Sequence, residues 1–176
     1  MTDGIATMLS IASHWLGAKQ IGQDQLFNGV CTDSRNIDSG RLFIALRGPN
    51  HDGHLHVAAA ARAGVVAALV EHPVDCVIPQ IIVPDTRLAL GQLAAAWRKE
   101  LAIPLLAVTG SNGKNTVKEM CAAILSQAGN TLATRGNLNN DIGMPLTLLR
   151  LQKEHQYGVI EMGANHPGEI AYLTKI

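Results

Sequence analysis

The residues with the clearest chemistry in this sequence form a short glycine-rich loop, Gly110-Ser111-Asn112-Gly113-Lys114. Successive backbone N–H groups at the start of a helix bind phosphate, and the helix dipole adds positive potential there. Glycine lets the backbone approach phosphate oxygens, and Lys114 brings a charge that reaches the β- and γ-phosphates. The alternative is a glycine turn beside an unrelated lysine. The loop predicts a site for a nucleoside triphosphate.

The predicted nucleotide-binding residues extend slightly beyond the loop. They are Thr109, Gly110, Ser111, Asn112, Gly113, Lys114, Asn115 and Thr116. The residue after the lysine is usually Ser or Thr, whose hydroxyl binds Mg²⁺, whereas here it is Asn115. An amide oxygen can bind Mg²⁺, but the longer side chain changes the geometry around an ion that requires a near-ideal octahedron. Thr116 lies about 100° further round the helix and cannot take over. We expect Asn115 to weaken the binding or turnover of Mg·ATP.

Two predicted elements position this loop. The apolar run at residues 105–109 predicts a buried strand, and a helix is predicted over about 116–128 with Gly129 at its end. The apolar residues along one side of that helix are Val117, Met120, Ile124 and Leu125. A strand leading through a glycine loop into a helix is the context that phosphate binding requires.

The remaining pattern alternates between helices and strands. In the second half we predict a helix at 87–100, a strand at 131–134, a helix at 146–151, a strand at 157–162 and a helix from 169. In the first half we predict a helix ending near Gly17, strands at 42–46, 65–70 and 81–83, a loop at 47–54 and a helix at 56–62. This order predicts an α/β protein, with a small α/β module at 1–84 and the first part of a doubly wound P-loop ATPase domain at 85–176.

Composition excludes several other classes of protein. The chain has 176 residues, 47% of them hydrophobic, and a formal net charge of zero. Nucleic-acid-binding proteins usually carry a basic excess, so no nucleic-acid partner is expected. No apolar run is long enough to cross a bilayer, and the three cysteines match no zinc or disulfide pattern. We predict a soluble, cytoplasmic protein that is not embedded in a membrane.

Several segments resemble the Mur ligase family. The loop itself has two residues between its glycines, as in the Mur ligases and the folylpolyglutamate synthases, rather than the general four. The segments at 32–35, 40–48 and 52–54 are similar to the module of Mur ligases that binds a uridine-diphosphate sugar, and 85–91 is similar to the first helix of their ATPase domain. The most specific segments are 136–145 and 161–170. The resemblance covers essentially the whole chain.

The resemblance implies ATP-driven formation of an amide bond in peptidoglycan precursor synthesis. The implied reaction joins D-alanyl-D-alanine to UDP-N-acetylmuramoyl-tripeptide through an acyl phosphate, with Mg²⁺ as a second cofactor. Both substrates are small molecules, and the full-length protein is expected to be a monomer. A different Mur ligase, which adds the third amino acid, is an alternative that the run Gly163-Ala164-Asn165-His166 disfavours. A folylpolyglutamate synthase would have no reason to carry the segment at 32–35.

The resemblance also implies roles for individual residues. Lys114 and Glu161 are the catalytic candidates, and Glu161, at the end of a strand, is the second metal candidate beside Asn115. The substrate-binding candidates are Thr32, Asp33, Ser34, Asn137, Asn140 and His166. Each has a structural alternative: a solvated strand end for Glu161, turn chemistry for the asparagines, and a turn or helix cap for Asp33 and Ser34. A zinc site at His51, His54 and His56 is disfavoured, because no cysteine or second shell accompanies them.

The family has a longer ATPase domain and a third domain that binds the incoming amino acid or dipeptide, and this chain carries neither. We therefore expect it to bind nucleotide or UDP-sugar without ligating. The alternative to a ligase is a binding module that performs no chemistry.

Overall fold

The computed structural model describes residues 4–35 and 37–176. The chain forms two compact units that divide between Leu93 and Ala94. The division falls inside α3 (Thr86–Leu101), a helix of 16 residues.

The first unit is built on a five-stranded sheet, with two short two-stranded sheets beside it in the described residues. The strands of the whole unit are β1 (Ala6–Met8), β2 (Lys19–Ile21), β3 (Leu26–Asn28), β4 (Val30–Cys31), β5 (Leu42–Ile44), β6 (Arg47–Gly48), β7 (His51–Asp52), β8 (Ala67–Val70) and β9 (Gln80–Ile82). Its helices are α1 (Leu9–Trp15), a 3₁₀ turn (Gly53–His56) and α2 (Val57–Arg62). The main sheet has the order β2-β9-β8-β5-β4, and every neighbouring pair except β2–β9 is parallel.

The core of this unit explains why the central strands are uniformly apolar. Phe43 of β5 and Ala68 of β8 pack in one buried cluster with Val57 and Ala60 of α2. A parallel strand covered on both faces has no solvent side, so its sequence shows a continuous apolar run rather than an alternation.

Short strands account for most of what the sequence pattern missed here. β2 and β3 lie in a polar, glycine-containing stretch for which no strand was predicted, and the predicted loop at 47–54 contains the antiparallel pair of β6 and β7. Strands of two or three residues are too short to show periodicity, because their pairing partner rather than their own composition specifies them.

The second unit contains a parallel three-stranded sheet. Its elements after α3 are β10 (Leu105–Val108), α4 (Lys114–Ala128), β11 (Thr131–Ala133), α5 (Gly143–Leu148), β12 (Tyr157–Glu161) and α6 (Glu169–Leu173). The strand order is β10-β12-β11. The structure confirms the predicted α/β class and the predicted alternation of strand and helix around the glycine loop.

The prediction of a buried strand in this unit was wrong. Residues 105–109 were expected to form a buried strand, but β10 is an edge strand and Leu106 is 42% exposed. The apolar side of α4 is also exposed at Val117, Met120 and Ile124, and the buried residue of this helix is instead Lys118. An apolar composition shows that a segment can be buried, but the elements that pack against it determine whether it is.

The helix predicted over 146–151 runs instead from Gly143 to Leu148. The Asn140 side-chain oxygen accepts hydrogen bonds from the N–H groups of Ile142 (3.2 Å) and Gly143 (2.8 Å). Side-chain oxygens of asparagine satisfy the free N–H groups of a first helical turn, so Asn140 fixes the earlier start.

Candidate active site

The glycine loop joins the end of β10 to the start of α4. Gly110 has a φ of 151° and Gly113 a φ of 74°, and in both cases this is backbone that side chains rarely tolerate. The first hydrogen bond of the helix runs from the Val117 N–H to the Gly113 carbonyl at 3.0 Å. The N–H groups of Lys114, Asn115 and Thr116 therefore have no partner one turn back in the helix and face the anion-binding end of its dipole.

Lys114 is the first residue of α4, and its amine folds back over the loop. Its Nζ donates a hydrogen bond to the Gly110 carbonyl at 2.7 Å. An ammonium group has three donors, so this bond leaves two for a phosphate. The other loop residues, Thr109, Ser111 and Asn112, are exposed, as are Asn115 and Thr116 on the first turn of the helix.

Glu161 lies beside the base of this loop. It is the last residue of β12 and pairs in register with Val108, the last residue of β10, and the Met162 N–H donates to the Val108 carbonyl at 2.8 Å. Neighbouring strands of a sheet are about 4.8 Å apart. The sheet therefore brings the predicted catalytic glutamate next to Thr109, at the carboxyl edge where α/β proteins bind ligands.

The carboxylate of Glu161 is buried and only half satisfied. The residue is 4% exposed, and its Oε1 accepts a hydrogen bond from Asn139 Nδ2 at 2.7 Å. Its Oε2 is buried and has no hydrogen-bond partner among the described residues. Buried carboxylate oxygens are normally paired because desolvation is costly, so this oxygen marks a position for a cation or a donor from a ligand.

A magnesium ion fits this donor set. Within the described residues, no group of three or more His, Cys, Asp and Glu side chains is gathered for a metal. Mg²⁺ is commonly held by one or two carboxylates together with waters and substrate phosphates, so a single glutamate beside a phosphate loop is sufficient. Glu161 offers its buried Oε2 as a metal ligand. Asn115, the other metal candidate, is exposed near the start of α4.

The three remaining candidates of the second unit have different surroundings. Asn137 is exposed, and its carbonyl accepts from the Asn139 N–H at 2.8 Å. Asn140 is exposed and its side-chain oxygen starts α5, as described above. His166 is exposed in the segment after β12, and its N–H donates to Glu169 at 3.2 Å. The bond from the Asn165 N–H, followed by this one, lowers the pKa of Glu169.

The first unit has a cavity at the carboxyl end of β4. Thr32, Asp33 and Ser34 line one cavity of about 530 Å³, so the fold brings these three candidates together. The other lining residues are Arg35, Phe43, His51 and His56. The rings of His51 and His56 stack with centroids 5.3 Å apart. Aromatic faces and polar loop groups around one concave surface suit a ligand with a planar base and hydroxyl or phosphate groups.

Asp33 and Arg35, which both line this cavity, form a local ion pair. Asp33 accepts from Arg35 Nε at 2.9 Å and from Arg35 Nη2 at 2.8 Å, and also from the Arg35 N–H at 3.0 Å. The side-chain bonds from Arg35, followed by the backbone bond, hold the pKa of Asp33 well below its usual range. Asp33 is therefore an anion that shapes the loop, with its charge compensated by Arg35.

His54 belongs to a separate network, although the sequence groups it with His51 and His56. It is buried, its Nδ1 lies 2.6 Å from Asp52 Oδ1, and its Nε2 accepts from the Glu71 N–H at 2.8 Å. This geometry requires the proton on Nδ1, which donates to Asp52. The Glu71 carboxylate in turn accepts from the N–H and hydroxyl of Thr86, both at 3.2 Å. The network ties the β6–β7 hairpin to the start of α3.

Three residues around Glu161 in the second unit were not predicted from the sequence. Asn139 stands between two predicted asparagines and is the one that contacts Glu161. Thr134 accepts from the Glu161 N–H at 2.9 Å, and Lys118 Nζ donates to the Thr134 carbonyl at 2.9 Å. Only Asn139 gave a signal in the sequence, as part of an asparagine-rich run. Lys118 was hidden because a lysine inside an amphipathic helix normally faces solvent.

Two family models match this chain. The Mur ligase family, catalytic domain, matches residues 26–98, and the Mur ligase middle domain matches residues 108–176. No helix within the described part of the chain has the length and apolar character needed to span a membrane.

Characterised relatives are similar over almost the whole chain. The UDP-N-acetylmuramoyl-tripeptide–D-alanyl-D-alanine ligase of Escherichia coli K12 is 51% identical over 172 residues, which cover 98% of this chain and 38% of that protein. The ligase of the same name from Bacillus subtilis 168 is 41% identical over 157 residues, which cover 88% of this chain and 34% of its own length. This chain thus spans little more than a third of the relatives it matches.

Solved structures agree with the sequence relatives. A crystal structure of MurF from Acinetobacter baumannii superposes with a TM-score of 0.92 at 45% identity, covering 98% of this chain and 39% of that one. MurF ligase from Thermotoga maritima, solved in complex with ADP, gives a TM-score of 0.76 at 31% identity, covering 84% and 34%. The short phosphate loop, the glutamate beside it and these likenesses agree, and the chain belongs to the Mur ligase family.

Proposed function

We propose that this chain supplies the UDP-muramoyl-peptide-binding module and part of the ATP-binding domain of a ligase. The reaction is the ATP-dependent joining of D-alanyl-D-alanine to UDP-N-acetylmuramoyl-tripeptide in peptidoglycan precursor synthesis. The proposal is supported by relatives of that name at 51% and 41% identity. The observation that carries it is the buried, half-satisfied Glu161 beside the base of the phosphate loop.

The two substrates, UDP-muramoyl-peptide and ATP, are assigned to different parts of the chain. We assign residues 1–84 to UDP-muramoyl-peptide binding, with Thr32, Asp33 and Ser34 at the uridine end, and residues 85–176 to ATP binding. The cavity at Thr32 supports the first assignment, and the glycine loop supports the second.

The proposed chemistry moves a phosphoryl group and then forms an amide. The terminal carboxylate of the tripeptide attacks the γ-phosphorus of ATP, and ADP leaves, giving an acyl phosphate. The amine of the dipeptide attacks the acyl carbon and loses a proton, and phosphate leaves. Phosphoryl transfer depends mainly on positioning and on neutralising charge, which are the tasks of a phosphate loop and its lysine.

Each proposed site residue has one task in this scheme. The segment from Thr109 to Thr116 holds the nucleotide phosphates, and Lys114 balances the charge of the migrating group. Glu161 would hold Mg²⁺, whose charge neutralises the phosphates, with Asn115 standing where a Ser or Thr hydroxyl is usual. The proposed contacts to the muramoyl and acyl-phosphate region are Asn137, Asn140 and His166.

The cellular setting follows from the substrates. UDP-linked precursors and ATP are small, charged, water-soluble molecules, so we place the protein in the cytoplasm, with no nucleic-acid partner. The full-length protein is proposed to act as a monomer.

A chimera tests the ligase proposal directly. This chain would replace the matching part of the Escherichia coli ligase, with Asn115 retained or changed to Thr, and phosphate release would be measured with UDP-muramoyl-tripeptide, ATP and D-alanyl-D-alanine. We expect release that depends on all three substrates in the Asn115→Thr chimera, and weaker release with Asn115. A folded Asn115→Thr chimera that releases no phosphate would contradict the proposal.

A second candidate function is binding without turnover, and Asn115 is the observation that favours it. The 176-residue chain alone is expected to bind UDP-muramoyl-tripeptide, as measured by calorimetry, and to release no phosphate in the same assay. Phosphate release by the isolated chain would contradict this expectation.

A further inference from the structure

We propose that Asn139 is a positioning residue for Glu161, holding one carboxylate oxygen so that the other is presented to the metal of the bound nucleotide. This inference rests on the proposed role of Glu161 in holding Mg²⁺. Asn139 was not among the residues predicted from the sequence, and its neighbours Asn137 and Asn140 were.

The two oxygens of Glu161 have different surroundings. Oε1 accepts the Asn139 amide at 2.7 Å, and Oε2 is buried with no partner among the residues that the structure describes. An amide N–H is a neutral donor, so it restrains the carboxylate without cancelling the charge that a cation needs. A carboxylate held on one side binds a metal through the other side, which suits the demanding geometry of Mg²⁺.

The backbone is held by hydrogen bonds at both Glu161 and Asn139. The Glu161 N–H donates to Thr134 Oγ1 at 2.9 Å, and the Thr134 carbonyl accepts from buried Lys118 at 2.9 Å. The Asn139 carbonyl accepts from the Gly163 N–H at 2.8 Å. These contacts fix the backbone at both residues, and the bond between the two side chains then restrains the carboxylate, so little freedom is lost when a ligand binds.

The absence of a side chain at Gly163 leaves space for the Asn139 amide. A Cβ added at Gly163 would lie 2.8 Å from Asn139 Cγ and 2.9 Å from both of its terminal atoms. Gly163 is not among the positive-φ glycines, so alanine meets no backbone strain there. The alanine methyl group would displace the amide while leaving both Asn139 and Glu161 chemically intact.

The experiment compares metal-dependent and metal-independent nucleotide binding. The 176-residue chain and its Asn115→Thr form would each carry Asn139→Ala, Gly163→Ala or Glu161→Gln. The matched control is Asn130→Ala, an exposed asparagine in the same unit. Calorimetry would give the affinity for ADP with Mn²⁺ and with EDTA, and electron paramagnetic resonance of the bound Mn²⁺ would report its coordination. Unfolding curves would confirm that each variant is folded.

The expected result separates positioning from folding. Asn139→Ala and Gly163→Ala should weaken Mn·ADP binding about tenfold or more and change the Mn²⁺ spectrum, because outer contacts of metal ligands have effects of this size. The affinity for ADP in EDTA should stay within about twofold, since the loop amides are untouched. Asn130→Ala should behave as the parent.

Two outcomes would overturn the inference, and they can be told apart. If Glu161→Gln weakens Mn·ADP binding while Asn139→Ala and Gly163→Ala do not, the positioning role is wrong and the metal role of Glu161 stands. If Glu161→Gln also has no effect in either background, the proposed metal role fails and the inference fails with it.

Discussion

Glu161 pairs in register with Val108, so the buried carboxylate and the first residue of the phosphate loop emerge from adjacent strands at the same sheet edge. This pairing joins parts of the sequence more than fifty residues apart. Parallel strands place their carboxyl ends together, and a loop that binds phosphate beside an acid that can hold a cation is the result.

Replacing Lys114 should remove most of the nucleotide affinity. Lys114→Ala deletes a point charge that the loop amides cannot replace, so the affinity for ADP should fall by about tenfold to a hundredfold. Calorimetry with ADP would measure the change, and Lys153→Ala, an exposed lysine in the same unit, is the matched control. Equal affinities for the Lys114 variant and the control would show that the loop is not the phosphate site.

Replacing Asn115 by Thr should strengthen the effect of metal on nucleotide binding. A hydroxyl at this position is the usual Mg²⁺ ligand of phosphate loops, and it is shorter than the asparagine amide. The ratio of the ADP affinity with Mg²⁺ to that without it should rise by about several-fold, because the metal gains one well-placed protein ligand. An unchanged ratio would mean that Asn115 does not limit metal binding.

Gly113→Ala should damage both the loop and the stability of the fold. Gly113 has a φ of 74°, and an alanine there costs about 1–2 kcal/mol. We expect a lower denaturation midpoint together with weaker ADP binding. Gly48→Ala is the control, since nothing lies within 4 Å of its added Cβ and its φ is not positive. A Gly113 variant as stable as the control would contradict the conformation described for the loop.

Lys118→Ala should destabilise the second unit. This lysine is 0% exposed and donates to the Thr134 carbonyl, so truncation leaves a cavity and an unpaired buried acceptor. The combined cost should be about 2–5 kcal/mol. Urea unfolding would measure it. Lys118→Met, which fills most of the volume without a donor, separates the effect of the cavity from the loss of the amine's contacts, which include Glu119 Oε1 at 2.7 Å. A change below about 0.5 kcal/mol for both variants would show that the buried contact does not support the fold.

Acid should weaken the Asp52–His54 network. Bonds from the His54 backbone and then its side chain lower the pKa of Asp52 below its ordinary value of 3.8, so the carboxylate favours the folded state. Its contribution is therefore complete above pH 3.8 and is lost as the pH falls through the lower folded-state value. Arg47 also faces this carboxylate, with its Nε 3.6 Å from Asp52 Oδ2.

The urea midpoints of the parent and of Asp52→Asn measure this effect. The parent should be more stable at neutral pH, and the difference should shrink steadily as the pH falls from about 5 to about 2. A difference that stays constant over that range would show that Asp52 has no special stabilising role.

The sequence predicted the phosphate site better than the surfaces around it. The loop is specified by residues that are adjacent in the sequence: the glycines at 110 and 113 give the backbone its freedom, and Lys114 gives the charge. Asn139 could not be distinguished from Asn137 and Asn140, because its contact with Glu161 depends on how β11 and β12 pair. The exposure of Leu106 had the same origin, since strand order is a property of the sheet rather than of the strand.

The central claim is that the glycine loop and Glu161 together hold a metal-bound nucleotide. A crystal structure of the chain with ADP and Mn²⁺, using the anomalous signal of manganese, tests it most directly. We predict phosphate oxygens on the loop amides near Gly113 and Lys114, and the manganese peak on Glu161 Oε2 at about 2.0–2.2 Å, as for small divalent ions. Nucleotide bound away from this loop, or manganese coordinated without Glu161, would contradict the claim.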